Sequence, residues 1–404
     1  MGEQLVVIGN GMAATRLVEE LTRRALGRYS IAVVGDEPRT AYNRVLLSSV
    51  LAQEIDAAEI ELRAAAWWRD RGVTLLTGKP AVSIDPDQSC VCLADGTTLP
   101  FSKLVLATGS RAVRLPLPGM ELPGVMTFRD LGDVDAIIAA AAKRRKAVVI
   151  GGGLLGLEAA YGLAKAGVDV SIVHLMDRLM ERQLDTKGAA LLKRAIEAQG
   201  IAVHLNAQTD EIEGETGVRA VRLKDGRTLE ADLVIVAVGI SPNVALARAA
   251  GLSVGRGIMV NDGLQTSARD IYAIGECAEH RGICYGLVEP AYEQARVLAA
   301  HLAGRRESYR GSILSTNLKV SGVHVFSAGD FNGEAGTEQI VLTDPGLGTY
   351  KKLVVAKGRL VGAVLFGDTS DGLWYLDLIR SGALVEPIRS DLIFGKALAE
   401  RKAA

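Results

Sequence analysis

Residues 147–156 read Ala147-Val148-Val149-Ile150-Gly151-Gly152-Gly153-Leu154-Leu155-Gly156. Four apolar residues, a glycine run and then apolar positions at Leu157, Tyr161 and Ala164 predict a strand, a tight turn and a helix. Val168 to Val173 predicts the next strand and completes a βαβ unit. Gly151, Gly153 and Gly156 fill the three small-residue positions of the dinucleotide fingerprint. The first permits the tight turn, the second the close approach of a pyrophosphate, the third helix–strand packing; the phosphate then sits on the helix N-terminus.

The same arrangement stands nearer the N-terminus. Leu5 to Ile8 leads into Gly9-Asn10-Gly11-Met12-Ala13-Ala14, and a helix with Ala13, Leu17 and Leu21 at spacing four follows. Ser30 to Val34 ends at Gly35-Asp36-Glu37, where an acid is placed to accept hydrogen bonds from a ribose diol. A further repeat trails each copy. Leu93 to Leu99 with Leu104 to Gly109 matches Leu223 to Leu229 with Val234 to Gly239, each an Asp-Gly hairpin feeding a strand that ends in glycine. Two dinucleotide folds in one chain imply electron transfer between two bound cofactors.

The second copy departs from the first where its acid is expected. Val173 is followed by His174, with Arg178 nearby. Imidazole and guanidinium tolerate the 2′-phosphate of NADP, but His174 also reads as an ordinary polar strand terminus, so NADH and NADPH both stay open.

Pro116, Pro118 and Pro123 with Gly119 and Gly124 punctuate residues 111–129, which read as a linker into the second unit. After Pro242-Asn243 a helix is expected, then a strand at Ile271 to Ile274 entering Gly275-Glu276, then a helix from about Tyr292 to Leu302. From Gly311 the pattern changes to short alternating strands, notably Lys351 to Ala356 and Arg359 to Leu365, before a helix at Trp374 to Ile379. The expected fold class is α/β: two Rossmann-like dinucleotide-binding domains, one inserted in the other, plus a small C-terminal α+β domain. The expected boundaries are residues 1–112 and 243–310 for the first domain, 113–242 for the second and 311–404 for the third.

Composition agrees with a multidomain α/β protein: 404 residues, 49% apolar, 45 glycines and only 4% aromatic. A net charge of −1 with no charge blocks gives no nucleic-acid or membrane footprint. Met1-Gly2-Glu3-Gln4 enters a strand at once, leaving no room for a secretory leader, so a cytoplasmic protein is expected. Cys90, Cys92, Cys277 and Cys284 are expected as free thiols; Cys90-Val91-Cys92 turns two thiols to one strand face, as a metal pair would, but no second pair stands beside it, and the five histidines show no ligand spacing.

On these residues the chain resembles the two-dinucleotide-binding-domain flavoproteins. Within them it is most similar to the FAD- and NAD-binding part of bacterial NAD(P)H nitrite reductase large subunits and to electron-transfer subunits of nitrate assimilation. The resembling stretches include Ala41 to Ser48, Leu179 to Asp185, Gln265 to Ser267, Ile274 to Ala278, Tyr285 to Pro290, Ser315 to Val323 and Gly367 to Asp371. The resemblance implies FAD at the first fingerprint, contacted by Gly9, Gly11, Met12, Ala13, Ala14, Asp36, Glu37, Arg44, Ser48, Val82, Ala107-Thr108-Gly109, Gly275-Glu276 and Glu289-Pro290. Glu276 stands where the family usually has Asp. NADH or NADPH would occupy the second, at Gly151, Gly153, Leu154, Leu155, Gly156, His174, Arg178 and Ala237-Val238-Gly239. Glu158 carries over as a carboxylate orienting the nicotinamide, against its reading as a helix-dipole partner, and Arg44 as a cation for pyrophosphate or flavin, against an ordinary surface arginine.

The departures matter as much. Full-length nitrite reductase large subunits continue into iron–sulfur and sirohaem domains, whereas this sequence ends at Ala404, so electrons are expected to pass to a separate acceptor: a nitrite or nitrate reductase component, a ferredoxin or a rubredoxin. The redox cysteine pair of disulfide reductases is replaced by Leu46-Leu47-Ser48-Ser49-Val50. Ferredoxin reductases typically carry Lys where Ser49 stands. The implied activity is an FAD-dependent NAD(P)H reductase, with a ferredoxin or rubredoxin reductase, or a non-catalytic flavin-bound regulatory subunit, as alternatives.

Overall fold

The computed structural model describes residues 2–320 and 322–400. Met1, Ser321 and residues 401–404, which fall within the expected domains and the C-terminal resembling stretch, lie outside the described residues. The chain divides into two compact units: Met1–Leu47, Ile55–Ala112 and Ile240–Ser312; and Ser48–Glu54, Val113–Gly239 and Ile313–Ala404.

The first unit is built on a five-stranded parallel sheet in the order Ile271–Ala273, Lys103–Leu106, Glu3–Ile8, Tyr29–Val34, Thr74–Leu76. Successive side chains of a strand face opposite ways, so a strand buried on both faces needs apolar residues at every position. Leu5 and Val7 pack with Leu17, Leu21 and Leu298 under the helices Met12–Arg24 and Val288–Leu302. Val6 and Ile8 pack on the other face with Ile84, Val91 and Leu93 of the antiparallel sheet Ala81–Asp85, Cys90–Leu93, Thr98–Pro100. The C-terminal helix of this unit starts at Val288, four residues before the position expected from its apolar pattern.

The second unit repeats the plan: a parallel sheet in the order Ala202–His204, Asp169–Val173, Lys146–Ile150, Leu233–Val236, Val125–Thr127, with the antiparallel sheet Thr209–Gly214, Val218–Leu223, Thr228–Glu230. Val148 and Ile150 share a core with Ile212, Val221 and Leu223 of that antiparallel sheet. Helix Leu154–Lys165 is buried on more than the expected stripe, at Gly156, Leu157, Glu158, Ala159, Ala160, Gly162 and Leu163. The proline-rich stretch after Arg111 is packed against this unit: Ile212 N–H donates to Pro118 O at 3.0 Å, and Val218 N–H to Pro123 O at 3.0 Å. Strand Ile240–Pro242 pairs with Ser110–Ala112 in the first unit, so the chain re-enters that unit at Ile240, three residues before the expected boundary.

The C-terminal segment adds a five-stranded antiparallel sheet in the order Ser315–Val320, Val323–Gly329, Arg359–Phe366, Thr349–Ala356, Glu338–Asp344. Helix Gly372–Ser381 packs Tyr375 and Leu376 onto its core of Phe326, Leu353, Ala363 and Leu365. This sheet belongs to the second unit. Asp185 caps helix Thr186–Glu197 through Gly188 N at 3.0 Å, accepts Tyr350 OH at 2.6 Å and lies 3.6 Å from Lys352 Nζ. Among the described residues no helix is long and apolar enough to cross a membrane.

Candidate nucleotide-binding sites

Both glycine turns solve one steric problem. Gly9 has φ +114°, and a Cβ there would lie 2.1 Å from Ala107 O; Gly151 has φ +124°, and its Cβ would lie 2.3 Å from Ala237 O. A side chain is excluded twice, by the backbone conformation and by the neighbouring carbonyl. At Gly156 a Cβ would meet Gly151 O at 2.0 Å, whereas the first turn carries Ala14 at the matching place.

Gly11 and Gly153 are different. Nothing lies within 4 Å of a Cβ built at either, and each is the N-cap of a helix with no side-chain cap. Uncapped N–H groups facing open space suit a phosphate. In the first turn Asn10 Oδ1 is also buried without a hydrogen-bond partner, while its Nδ2 donates to Arg39 O at 3.1 Å. These features fit a dinucleotide pyrophosphate at each turn.

Around the first turn the structure gathers most of the residues expected for FAD. The Tyr42 hydroxyl donates to Glu37 at 2.7 Å, the Arg44 guanidinium pairs with the other Glu37 oxygen, and Arg44 sits 5.2 Å from the Tyr42 ring centroid. Arg44 is thus anchored by the acid that the strand end supplies. Asp36 is exposed and accepts from Glu37 N–H at 3.0 Å. Gly78 N–H donates to Glu37 O and Lys79 N–H to Gly35 O, each at 2.9 Å, which starts the Val82 strand beside the acid; Val82 itself is exposed.

Gly275 has φ +80°, a Cβ built there would lie 3.1 Å from the Ala13 Cβ, and its N–H donates to buried Gln294 at 2.7 Å. Glu276 accepts the Ser110 hydroxyl at 2.8 Å. Thr108 and Asn243 exchange two hydrogen bonds, Oγ1 to Asn243 O at 2.8 Å and Nδ2 to Thr108 O at 2.9 Å, which hold the Ala107-Thr108-Gly109 loop. Glu289 is exposed, 3.8 Å from Arg296, and Pro290 is buried in the first turn of its helix. Tyr42, Asn243 and Gln294 escaped the reading of the sequence because polar residues in loops and helices carry no periodic signal.

Ser48, the residue expected at FAD, has a side-chain partner in Glu158. It begins the short segment Ser48–Glu54, which packs on helix Leu154–Lys165 of the second unit. Gly162 makes room for Leu51, whose Cγ would lie 2.8 Å from a Cβ there, and Glu54 pairs with Lys165 at 2.8 Å. Ser48 hydrogen-bonds Glu158, which is only 7% exposed. Burial pushes the Glu158 carboxyl up to about 8, and the Ser48 hydrogen bond pulls the other way. Glu158 is therefore a neutral acid at neutral pH.

At the second turn His174 is 8% exposed and turned onto the glycines. Gly152 N–H donates to Nδ1 at 3.0 Å; a backbone N–H can only donate, so Nδ1 is the acceptor and the proton sits on Nε2, 3.2 Å from Glu181 Oε2. A Cβ at Gly152 would lie 2.6 Å from His174 Cγ, which accounts for the middle glycine of the run. The repeat shows the exchange in reverse: Gly35 faces Asn10, and a Cβ at Gly35 would lie 2.7 Å from the Asn10 Cβ. Arg178 donates to Asp177 at 3.0 Å. Val238 and Gly239 continue from Ala237, with Gly239 at φ +121° and its carbonyl accepting Val113 N–H at 3.0 Å. Leu154 and Leu155 form the half-buried first turn of the helix, as Met12 does in the first unit.

A family model described as pyridine nucleotide-disulphide oxidoreductase matches residues 3–304, and one described as rubredoxin NAD+ reductase C-terminal domain matches residues 315–383. The chain is 48% identical over 94% of its length to a nitrite reductase [NAD(P)H] of Bacillus subtilis (strain 168), covering 48% of that protein. It is 44% identical over 97% of its length to an assimilatory nitrate reductase electron transfer subunit of the same organism, covering 52% of it. The chain thus spans about half the length of these two relatives. The crystal structure of the ferredoxin reductase for the CYP199A2 system from Rhodopseudomonas palustris matches at a TM-score of 0.85 and 28% identity, covering 95% of this chain and 100% of that one.

Proposed function

The chain belongs to the pyridine nucleotide-disulphide oxidoreductase family, a class using FAD and NAD(P)H, and from that premise we propose that it is the reductase of a cytoplasmic nitrite or nitrate assimilation system, passing electrons from NAD(P)H through FAD to a separate acceptor. The observation that carries this reading is the doubled glycine turn, with open space beside Gly11 and Gly153 at two uncapped helix N-termini. When bound, FAD would supply the redox chemistry, hydride acceptance from reduced nicotinamide and electron release to an acceptor.

The protein's own residues bind, orient and hold protons. Gly9, Gly11 and Ala14 shape the first phosphate cradle, Glu37 offers its carboxylate to a ribose, and Arg44 is steadied beside it. Gly151, Gly153 and Gly156 shape the second cradle. Glu158, kept neutral by burial, offers a hydrogen-bond donor where an ionised carboxylate would only accept. The four cysteines are free thiols, and none lies in the Leu46 to Val50 stretch, where disulfide reductases carry their redox pair.

A second reading, a ferredoxin or rubredoxin reductase, is favoured by the match of residues 315–383 to the rubredoxin reductase C-terminal domain. One experiment separates the readings. Anaerobic NADH or NADPH is expected to bleach the flavin absorbance of the full chain, after which nitrite or nitrate reductase components, ferredoxin and rubredoxin are each tested for reoxidation. Bleaching by neither nucleotide refutes the reductase and leaves a non-catalytic flavin-bound subunit; rapid reoxidation by ferredoxin or rubredoxin alone selects the second reading.

A further inference from the structure

We infer that Glu181, held in place by His174, is the acid that reads the adenosine ribose of the nicotinamide nucleotide and makes the site select NADH over NADPH; this rests on the reductase reading above. In a Rossmann unit the residue ending the second strand presents a carboxylate to the ribose 2′-hydroxyl. Here that position is His174, directly after strand Asp169–Val173, and its ring is turned inward with both nitrogens engaged. The imidazole thereby leaves its Nε2–H for one acceptor, the Glu181 carboxylate at 3.2 Å. Glu181 lies seven residues beyond His174 in the chain and beside it in space.

The chain after His174 is folded to keep it there. Met180 N–H donates to Gly152 O at 3.0 Å, which ties the segment to the glycine turn itself. Leu179 and Met180 are fully buried, Met180 adopts φ +50°, and the Leu179 Cδ2 would lie 2.7 Å from a Cβ at Gly152. Glu181 follows at once, with its side chain 23% exposed. One oxygen faces the histidine, so the carboxylate retains acceptor capacity for a second donor, as a ribose hydroxyl is.

Charge decides the selectivity. A 2′-phosphate brought to this strand end meets the Glu181 carboxylate; of the cation nearby, Arg178, Nη1 donates to Asp177 at 3.0 Å while Nε is buried without a partner. Arg182 is 85% exposed and 3.9 Å from Glu181. A free ribose diol gains a charge-assisted hydrogen bond that the phosphate form forfeits. His174 is a positioning residue in this scheme; it fixes the rotamer of Glu181 and contributes no contact of its own.

The test uses ADP-ribose and 2′-phospho-ADP-ribose, titrated calorimetrically into the flavin-loaded full chain, so that no turnover is needed. The wild type is expected to bind ADP-ribose about tenfold or more tightly than its 2′-phosphate. Glu181→Gln keeps an acceptor for His174 but removes the charge, and narrows that ratio by about tenfold. His174→Leu unanchors the acid and narrows the ratio in the same direction. A wild type that binds the two fragments equally, or prefers the phosphate, overturns the inference, as does an unchanged ratio in Glu181→Gln with flavin retained. If Glu181→Gln loses its flavin, the wild-type ratio decides alone. Selective binding of ADP-ribose by a wild type whose flavin neither NADH nor NADPH reduces would leave Glu181 assigned and remove the reductase reading instead.

Discussion

Replacing Glu158 by Gln should change how the protein's stability responds to pH, and the size of the change follows from the burial of one carboxyl. The side chain is 7% exposed, and its folded pKa stands near 8 against an ordinary value of 4.5. The folded form therefore holds a proton that the unfolded chain has released, between pH 4.5 and about 8. Stability falls with pH wherever the native state binds more protons. The loss begins as pH rises past the unfolded value and is complete once it passes the folded one.

Each unit of pKa difference corresponds to about 1.36 kcal/mol. By pH 7 the deficit relative to pH 4 is about 3 kcal/mol, and above pH 8 it levels at roughly 4–5 kcal/mol. Glu158→Gln is neutral at every pH, close to isosteric with the protonated acid, and keeps a partner for Ser48. All other titrating groups are common to both proteins and cancel in the difference. Urea unfolding of wild type and Glu158→Gln at pH 5, 6, 7 and 8 should therefore show the variant gaining on the wild type by about 1 kcal/mol per pH unit. The protonated acid should also give an infrared carboxylic C=O band at pH 6 that the variant lacks. Parallel pH profiles and no such band would refute the assignment of a neutral buried acid.

The two kinds of glycine in each turn should fail differently. Gly9→Ala strains the backbone and drives a methyl into Ala107 O, and is expected to destabilise the first unit by about 3 kcal/mol or more in denaturation. Gly11→Ala meets no protein atom, so stability should hold while FAD affinity falls by about tenfold or more, read by flavin retention on dilution; equal behaviour of the two variants would contradict the cradle. Asp185→Ala removes a helix cap and the partner of Lys352, which is 7% exposed, and should lower stability by about 3 kcal/mol, whereas Asp185→Asn, able to cap, should lose less; denaturation of both checks the order. Ser48→Ala removes the hydrogen bond that lowers the Glu158 pKa, so the carboxylic infrared band should persist to higher pH than in wild type.

Periodicity and glycine spacing made the architecture legible. Alternating faces at Leu5 to Ile8 and Ala147 to Ile150, each ending in glycine and each followed by a helix, specify two parallel-sheet folds, because a strand buried on both sides and a turn that forbids Cβ leave a local trace. The Asp-Gly hairpins at Asp95-Gly96 and Asp225-Gly226 were readable for the same reason, and both glycines have positive φ. The boundary at Ile240 was not readable: it depends on pairing with Ser110–Ala112, more than a hundred residues earlier.

The site divides along the same line. The amino-acid sequence by itself determined the two glycine turns, the acid at Glu37 and the absence of a cysteine pair at Ser48-Ser49, since each is a property of residue type at a local spacing. Only the tertiary structure decided what those residues face. It buried Glu158, which pushes that acid towards its neutral form, and set Ser48 against it, across a sequence gap no motif spans, as the one partner that pulls the other way. It turned His174 inward onto Gly152 and brought up Glu181. Burial and partner choice depend on chain segments that meet only after folding, and they alone assign the charge a titratable side chain carries.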